Sequence, residues 1–241
     1  MANQTVRRPA IKPLITAGIR YLRTDLYPAL GLLMSAGLAA AALALYVFAG
    51  LAEEVREGDL HDFDQRVFDV SNRVATPALT GFMRGVTRLG SNKFLIGAGA
   101  CVVLIFLLMR WRRAAVAFLV TMAGAALLNF FLKQFFQRER PAPFFDTPIP
   151  ESYSFPSGHA LLSFCFYGVL AAVVAARLKR VGVSALVWGA AALLVALIGL
   201  SRVYLGVHYP SDVLAGYAAA LVWVMAVALA DRMLPFRRRA R

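Results

Sequence analysis

Ala114-Ala-Val-Ala-Phe-Leu-Val-Thr-Met-Ala-Gly-Ala-Ala-Leu-Leu-Asn-Phe-Phe-Leu132 runs for 19 residues without a charge, between Arg112-Arg113 and Lys133. Wound as an α-helix it is ~28 Å long, about the thickness of a bilayer's hydrocarbon core. Five other apolar stretches recur, at 29–52, 94–109, 160–176, 183–200 and 213–230. The shorter ones span by borrowing interfacial neighbours or by thinning the bilayer locally. Composition agrees: 60% of residues are hydrophobic and mean hydropathy is +0.65. The sequence predicts an all-α, polytopic membrane protein with six transmembrane helices.

The net charge is +13, and its distribution orients the chain. With a cytoplasmic N-terminus, the inner segments are 1–28, 110–113, 177–182 and 231–241. They hold 16 of the 26 basic residues, among them Arg7, Arg8, Lys12, Arg110, Arg177, Lys179, Arg232 and Arg237, and only Asp25 and Asp231 of the acidic ones. The positive-inside rule favours that orientation, with both termini cytoplasmic. No separate basic domain exists, so anionic lipid headgroups rather than nucleic acid are the expected partner of these charges. The first apolar run begins late and is too long for a signal-peptide core, although Gly50-Leu51-Ala52 resembles a cleavage site. Cys101 and Cys165 fall inside spans, without metal spacing, and read as packing residues.

The chain reads as one domain, 1–241, with no repeat and no linker. The longest polar stretch, 53–93, lies on the outer side. Phe63, Val67, Val70 and Val74 recur at helical spacing, Thr76-Pro77 reads as an N-cap and first helical residue, and Leu79, Phe82, Val86 and Leu89 form a second stripe. Two short amphipathic helices on the outer face are expected, capping the bundle or bordering a lateral lipid entrance. Capping is favoured, since an apolar stripe alone carries no chemistry. The stretch Pro141–Pro150 has four prolines and must be a loop.

Three polar segments end the spans: Lys133 to Pro141, Phe155-Pro-Ser-Gly-His159, and Ser201-Arg-Val-Tyr-Leu-Gly-Val-His-Tyr-Pro-Ser-Asp212. The charge-derived topology brings all three to one side. Lys133, Arg140 and Arg202 offer a point charge and two planar forks suited to phosphate oxygens. Ser157 and Gly158 open a helix whose free N–H groups favour an anion, and glycine allows close approach. Pro210 starts the last helix, so Asp212 in its first turn can reach back to His208, fix its tautomer and leave the other nitrogen as a nucleophile. His159 is a second imidazole, suited to general acid work. Taken singly, such residues at span ends are more often interfacial or snorkelling. Tyr204, Tyr209 and Phe155 read as interfacial aromatics, and Arg138 and Glu139 as solvated loop charges or local ion-pair partners. Ser201 reads as packing or capping.

At these residues the chain resembles the type 2 phosphatidic acid phosphatase family, which shares its site with vanadium haloperoxidases. The pattern Lys-x6-Arg-Pro, Pro-Ser-Gly-His, Ser-Arg-x5-His-x3-Asp is met by Lys133, Arg140 and Pro141, by Pro156 to His159, and by Ser201, Arg202, His208 and Asp212. The resemblance implies a phosphohistidine at His208, Asp212 balancing its charge, and His159 protonating the leaving oxygen and then activating water. It implies phosphate binding by Lys133, Arg140, Ser157, Gly158 and Arg202, without a metal or cofactor. No carboxylate cluster suited to Mg²⁺ stands in the sequence.

The expected function is a lipid phosphatase of the cell's inner (plasma) membrane with a periplasmic site. Undecaprenyl diphosphate is the favoured substrate, with phosphatidylglycerophosphate and phosphatidic acid beside it. A lipid phosphotransferase using the same residues and a non-catalytic lipid-binding or transport protein are the alternatives.

Overall fold

A computed structural model describes residues 27–58, 61–142, 145, 150–178 and 180–233. The expectations placed on Arg7, Arg8, Lys12, Lys179 and Arg237, and on most of the Pro141–Pro150 loop, lie outside these residues. Every described element is a helix: α1 Tyr27–Glu57, α2 His61–Arg73, α3 Pro77–Arg88, α4 Asn92–Leu108, α5 Arg112–Phe136, α6 Gly158–Ala175, α7 Val181–Tyr204 and α8 Pro210–Met233. Two compact units divide the chain, residues 1–40 and residues 41–241. The second contains the bundle described below.

Five described helices are long and apolar enough to cross a membrane: α1 over Ser35–Glu57, α5, α6, α7 and α8. The stretch expected as the second span is α4, only 17 residues long; with α3 it forms a pair bent by 47° that qualifies as a sixth. Local chemistry sets several starts. Thr76 Oγ1 accepts from the Leu79 N–H at 3.2 Å ahead of Pro77, as expected. Ser91 Oγ accepts from Phe94 N at 3.3 Å, and Ser157 Oγ caps α6. Gln137, with φ 47°, closes α5 in the left-handed region, and Gly206, with φ 70°, turns the chain after α7.

Inside the second unit, α6 is the central helix. Leu161, Cys165 and Phe166 pack against Phe106, Phe118 and Ala125 and against Ala219 and Ala220. Lipid tails are as apolar as these side chains, so close fit rather than water exclusion drives the packing. Small residues on α8 supply it: Ala215, Gly216, Ala218, Ala219 and Ala220 are all buried or nearly so. Gly124 shows the tolerance, since a Cβ there would stand 1.9 Å from Trp223 Cζ2. The indole N–H donates to the Thr121 carbonyl at 2.9 Å. Leu104, Leu108, Leu119, Leu127 and Phe131 point outward, as a lipid-facing surface requires.

Several expectations are corrected. The inward face of α2 is Asp64, Phe68 and Ser71, whereas Phe63, Val70 and Val74 are about half exposed. A buried carboxylate with partners outranks the apolar stripe there. On α3, Thr80, Met83 and Val86 are buried and Phe82 is exposed. Cys165 packs in the core, but Cys101 is exposed on α4. Phe155 and Tyr204 are not interfacial: Phe155 packs on Phe48 and Phe136, and the Tyr204 hydroxyl meets Thr80 Oγ1 at 2.8 Å.

Candidate active site

The start of α8 shapes the centre of the site. Because Pro210 opens the helix, Asp212 sits in the first turn with its carboxylate turned back over the preceding loop. Its Oδ2 lies 3.2 Å from His208 Nδ1 and accepts from the Tyr209 N–H at 3.0 Å and from the Ser154 hydroxyl. Its Oδ1 accepts from Arg138 Nη1 at 2.7 Å. A carboxylate this deeply buried is costly unless its lone pairs are used, and here donors reach both oxygens.

With Nδ1–H donating to Asp212, the lone pair of His208 is on Nε2. Arg140 Nη1 donates to that nitrogen at 3.0 Å. Burial pushes His208 down to about 3; Asp212 opposes the shift, while Arg140 and Arg202 add to it. The imidazole is neutral at neutral pH. Arg140 is itself lowered by burial, partly offset by Asp212.

The other expected residues converge on the same end of the bundle. Lys133, in the last turn of α5, donates through Nζ to the carbonyls of Tyr153 and Ser154. Arg140 Nε and Nη1 donate to the Ser152 and Val207 carbonyls, both at 2.7 Å. These two cations therefore hold the 152–154 segment, and Arg140 also faces His208. Arg202, in the last turn of α7, donates from Nη1 to Thr87 Oγ1 at 2.8 Å. Its buried Nε has no partner among the described residues. A buried unpaired donor costs ~1–3 kcal/mol, which a bound anion would recover.

His159 stands second in α6, half-buried, and its ring makes no hydrogen bond among the described residues. The turn between α3 and α4 closes over it: a Cβ on Gly90 would come within 3.2 Å of His159 Cδ2 and 2.5 Å of Ile198 Cγ2. Ser157 is fully buried, and its Oγ accepts from Ala160 N at 3.5 Å. Its N–H donates to the Asp212 carbonyl at 2.9 Å, tying the starts of α6 and α8 together. Gly158 leaves room on one side for Asn129, whose amide atoms would lie 3.1–3.4 Å from a Cβ there. Ser201 Oγ donates to the Ile198 carbonyl at 2.5 Å, within its own helix.

Arg138 is the chief correction. Expected as a solvated loop charge or a local ion-pair partner, it is instead largely buried and paired with distant residues, Asp64 and Asp212 at 2.7 Å each, and stacked 4.2 Å from the Tyr209 ring centroid. Burial lowers its affinity for a proton, but the two carboxylates outweigh that and raise its pKa. Asp64, Ser154, Ser211, Thr87 and Asn129 were also missed. Asp64, Phe68 and Ser71 follow helical spacing, so a charge on the inward face of α2 was the available signal. An apolar cavity of about 690 Å³ between the membrane-spanning helices, lined by Phe164, Trp188, Val195 and Tyr217, contains none of these site residues.

Membrane-crossing helices that carry a buried His–Asp pair and three convergent cations at one end of their bundle define an integral membrane protein. The PAP2 superfamily model matches residues 114–234, half of the chain, and the protein belongs to that superfamily. Phosphatidylglycerophosphatase B of Bacillus subtilis is 32% identical over 71% of this chain and 85% of its own length. Undecaprenyl-diphosphatase of Sulfolobus acidocaldarius is 28% identical over 64% of this chain and 72% of its own. The crystal structure of a transmembrane PAP2 type phosphatidylglycerolphosphate phosphatase from Bacillus subtilis superposes with a TM-score of 0.74, at 28% identity, over 83% of this chain and 98% of that one. Aquifex aeolicus LpxE, at 24% identity and a TM-score of 0.54 over 68% of this chain and 94% of its own, shares the fold.

Proposed function

We propose that this membrane lipid phosphatase cleaves a phosphate monoester or diphosphate of a lipid through a phosphohistidine at His208, without a metal. The observation that carries the reading is the fully enclosed imidazole held between Asp212 on Nδ1 and Arg140 on Nε2. In this reading Nε2 attacks phosphorus, an N–P bond forms, and the P–O bond to the leaving group breaks. His159 gives the leaving oxygen a proton, then takes one from the water that displaces His208 and releases phosphate. Lys133, Arg140, Arg202, Ser157 and the Gly158 N–H hold the phosphate and the charge that builds at the transition state. The unpartnered Nε of Arg202 supports that assignment.

The relatives' names supply the substrates to try. Phosphatidylglycerophosphate and undecaprenyl diphosphate come first, and phosphatidic acid is added third from the family resemblance of the motifs. The site is assigned to the periplasmic face of the inner membrane, with both termini cytoplasmic, on the strength of the basic residues at the opposite ends of the spans. The test is phosphate release from these three lipids by purified protein in detergent with excess EDTA, His208→Ala serving as control. Release by wild type alone is expected, with the variant at least about 10³-fold slower. No release from any lipid by folded protein, or equal release by His208→Ala, sinks the proposal; phosphate appearing on an added lipid acceptor instead of in water marks a transferase.

A further inference from the structure

Asp64 is fully buried on a helix whose neighbouring positions Asp62, Phe63, Gln65 and Arg66 are exposed. Its Oδ1 accepts from the Ser211 N–H at 3.0 Å, and its Oδ2 from Ser211 Oγ at 2.5 Å and Arg138 Nη2 at 2.7 Å. Arg138 Nη1 donates to Asp212 Oδ1 at 2.7 Å and to Ser211 Oγ at 2.8 Å. One guanidinium thus lies between two buried carboxylates, and one of them faces His208.

The charge balance gives this arrangement its meaning. Arg138 alone would neutralise Asp212 and weaken its pull on the imidazole. Shared with Asp64, the same guanidinium leaves the triad Asp64–Arg138–Asp212 with a formal charge of −1. In a buried site that net charge is felt far more strongly than in water. We propose that Asp64 and Arg138 are positioning residues for the reaction at His208. Arg138 holds Oδ1 of Asp212 so that Oδ2 stays on Nδ1, and Asp64 preserves the negative charge that supports the imidazole as it becomes cationic. This inference rests on the phosphohistidine reading above.

The experiment measures kcat and KM for phosphate release from phosphatidylglycerophosphate and from undecaprenyl diphosphate by full-length, detergent-purified protein. It compares wild type, Asp64→Asn, Arg138→Met, the double variant and His208→Ala, with melting curves to count folded protein. Asp64→Asn lowers kcat about tenfold, with KM changed by less than about threefold, because charge support is lost while phosphate binding is not. Arg138→Met lowers kcat as well, because Oδ1 of Asp212 is no longer held, and the double variant lies below Arg138→Met because the Asp64 charge is gone too. A purely structural pair would lower Tm while leaving kcat per folded molecule at the wild-type value. That result, or a double variant as fast as Arg138→Met, overturns the proposal. Should Asp64→Asn not fold, the comparison of the double variant with Arg138→Met stands by itself; turnover by the double variant equal to or faster than that of Arg138→Met overturns the proposal equally. If wild type releases no phosphate, or His208→Ala releases as much, the phosphatase reading itself falls and this inference with it.

Discussion

Helices α5 and α8 are joined by an arginine–aspartate pair near each end. Arg113 at the start of α5 meets Asp231 near the end of α8 at 2.9 Å, and Arg138 just past α5 meets Asp212 near the start of α8 at 2.7 Å. The chemistry is the same, but the surroundings are not. The side chains of Arg113 and Asp231 are 54% and 34% exposed; those of Arg138 and Asp212 are 16% and 0% exposed. Water and salt screen the first pair, so it contributes little to stability. The second pair is drawn into a network that also holds Asp64, Ser211, Tyr209 and His208. Burial, rather than residue type, makes one a surface contact and the other part of a site.

That contrast breaks most readily at Arg138. Arg138→Met is expected to destabilise the protein by about 3 kcal/mol, because it strands Asp64 and Asp212 as buried, uncompensated charges. Thermal unfolding in detergent checks it; a Tm at the wild-type value would mean the pair is no more consequential than its exposed counterpart. Arg202→Lys tests the proposed phosphate-binding role at the same end. It keeps the charge but loses the planar fork that holds Thr87 while offering Nε, and kcat/KM for phosphate release should fall about tenfold.

Acidification acts through His208 with a definite sign. The His208 pKa is lowered to about 3 in the folded protein, so the unfolded chain takes up the proton first as pH falls below the ordinary histidine value of 6.5. His208 therefore removes stability as pH drops from about 6.5 towards 3, by up to about 1.4 kcal/mol per pH unit, and no further below that. Unfolding midpoints of wild type and His208→Gln across that range isolate the contribution: the slope should be shallower in the variant. The smallest effect is expected at Arg113→Ala, which should leave Tm and turnover near wild type, with any Tm change vanishing at high salt. A large loss there would erase the difference between the two ends.

The apolar spans, the capping of α3 by Thr76 and the reach of Asp212 back to His208 were legible because each is local. A run of uncharged residues, an N-cap before a proline and an i, i+4 pair need only the chain's own geometry. Motif spacing likewise placed Lys133, Arg140, Arg202, His159 and His208 at span ends, and charge asymmetry put those ends on one side. The tertiary structure decided what lies between them. Asp64 and Arg138 are 74 positions apart, and Thr87 and Arg202 are 115 apart. Helical spacing could place Asp64 on an inward face, but no periodicity names the guanidinium it meets there. The same holds for Phe155 and Tyr204, whose aromatic character suits an interface or a core equally well until packing chooses. A sequence states which groups can bear charge or donate a bond. Burial sets what each is worth, and burial depends on contacts between residues that the chain keeps far apart.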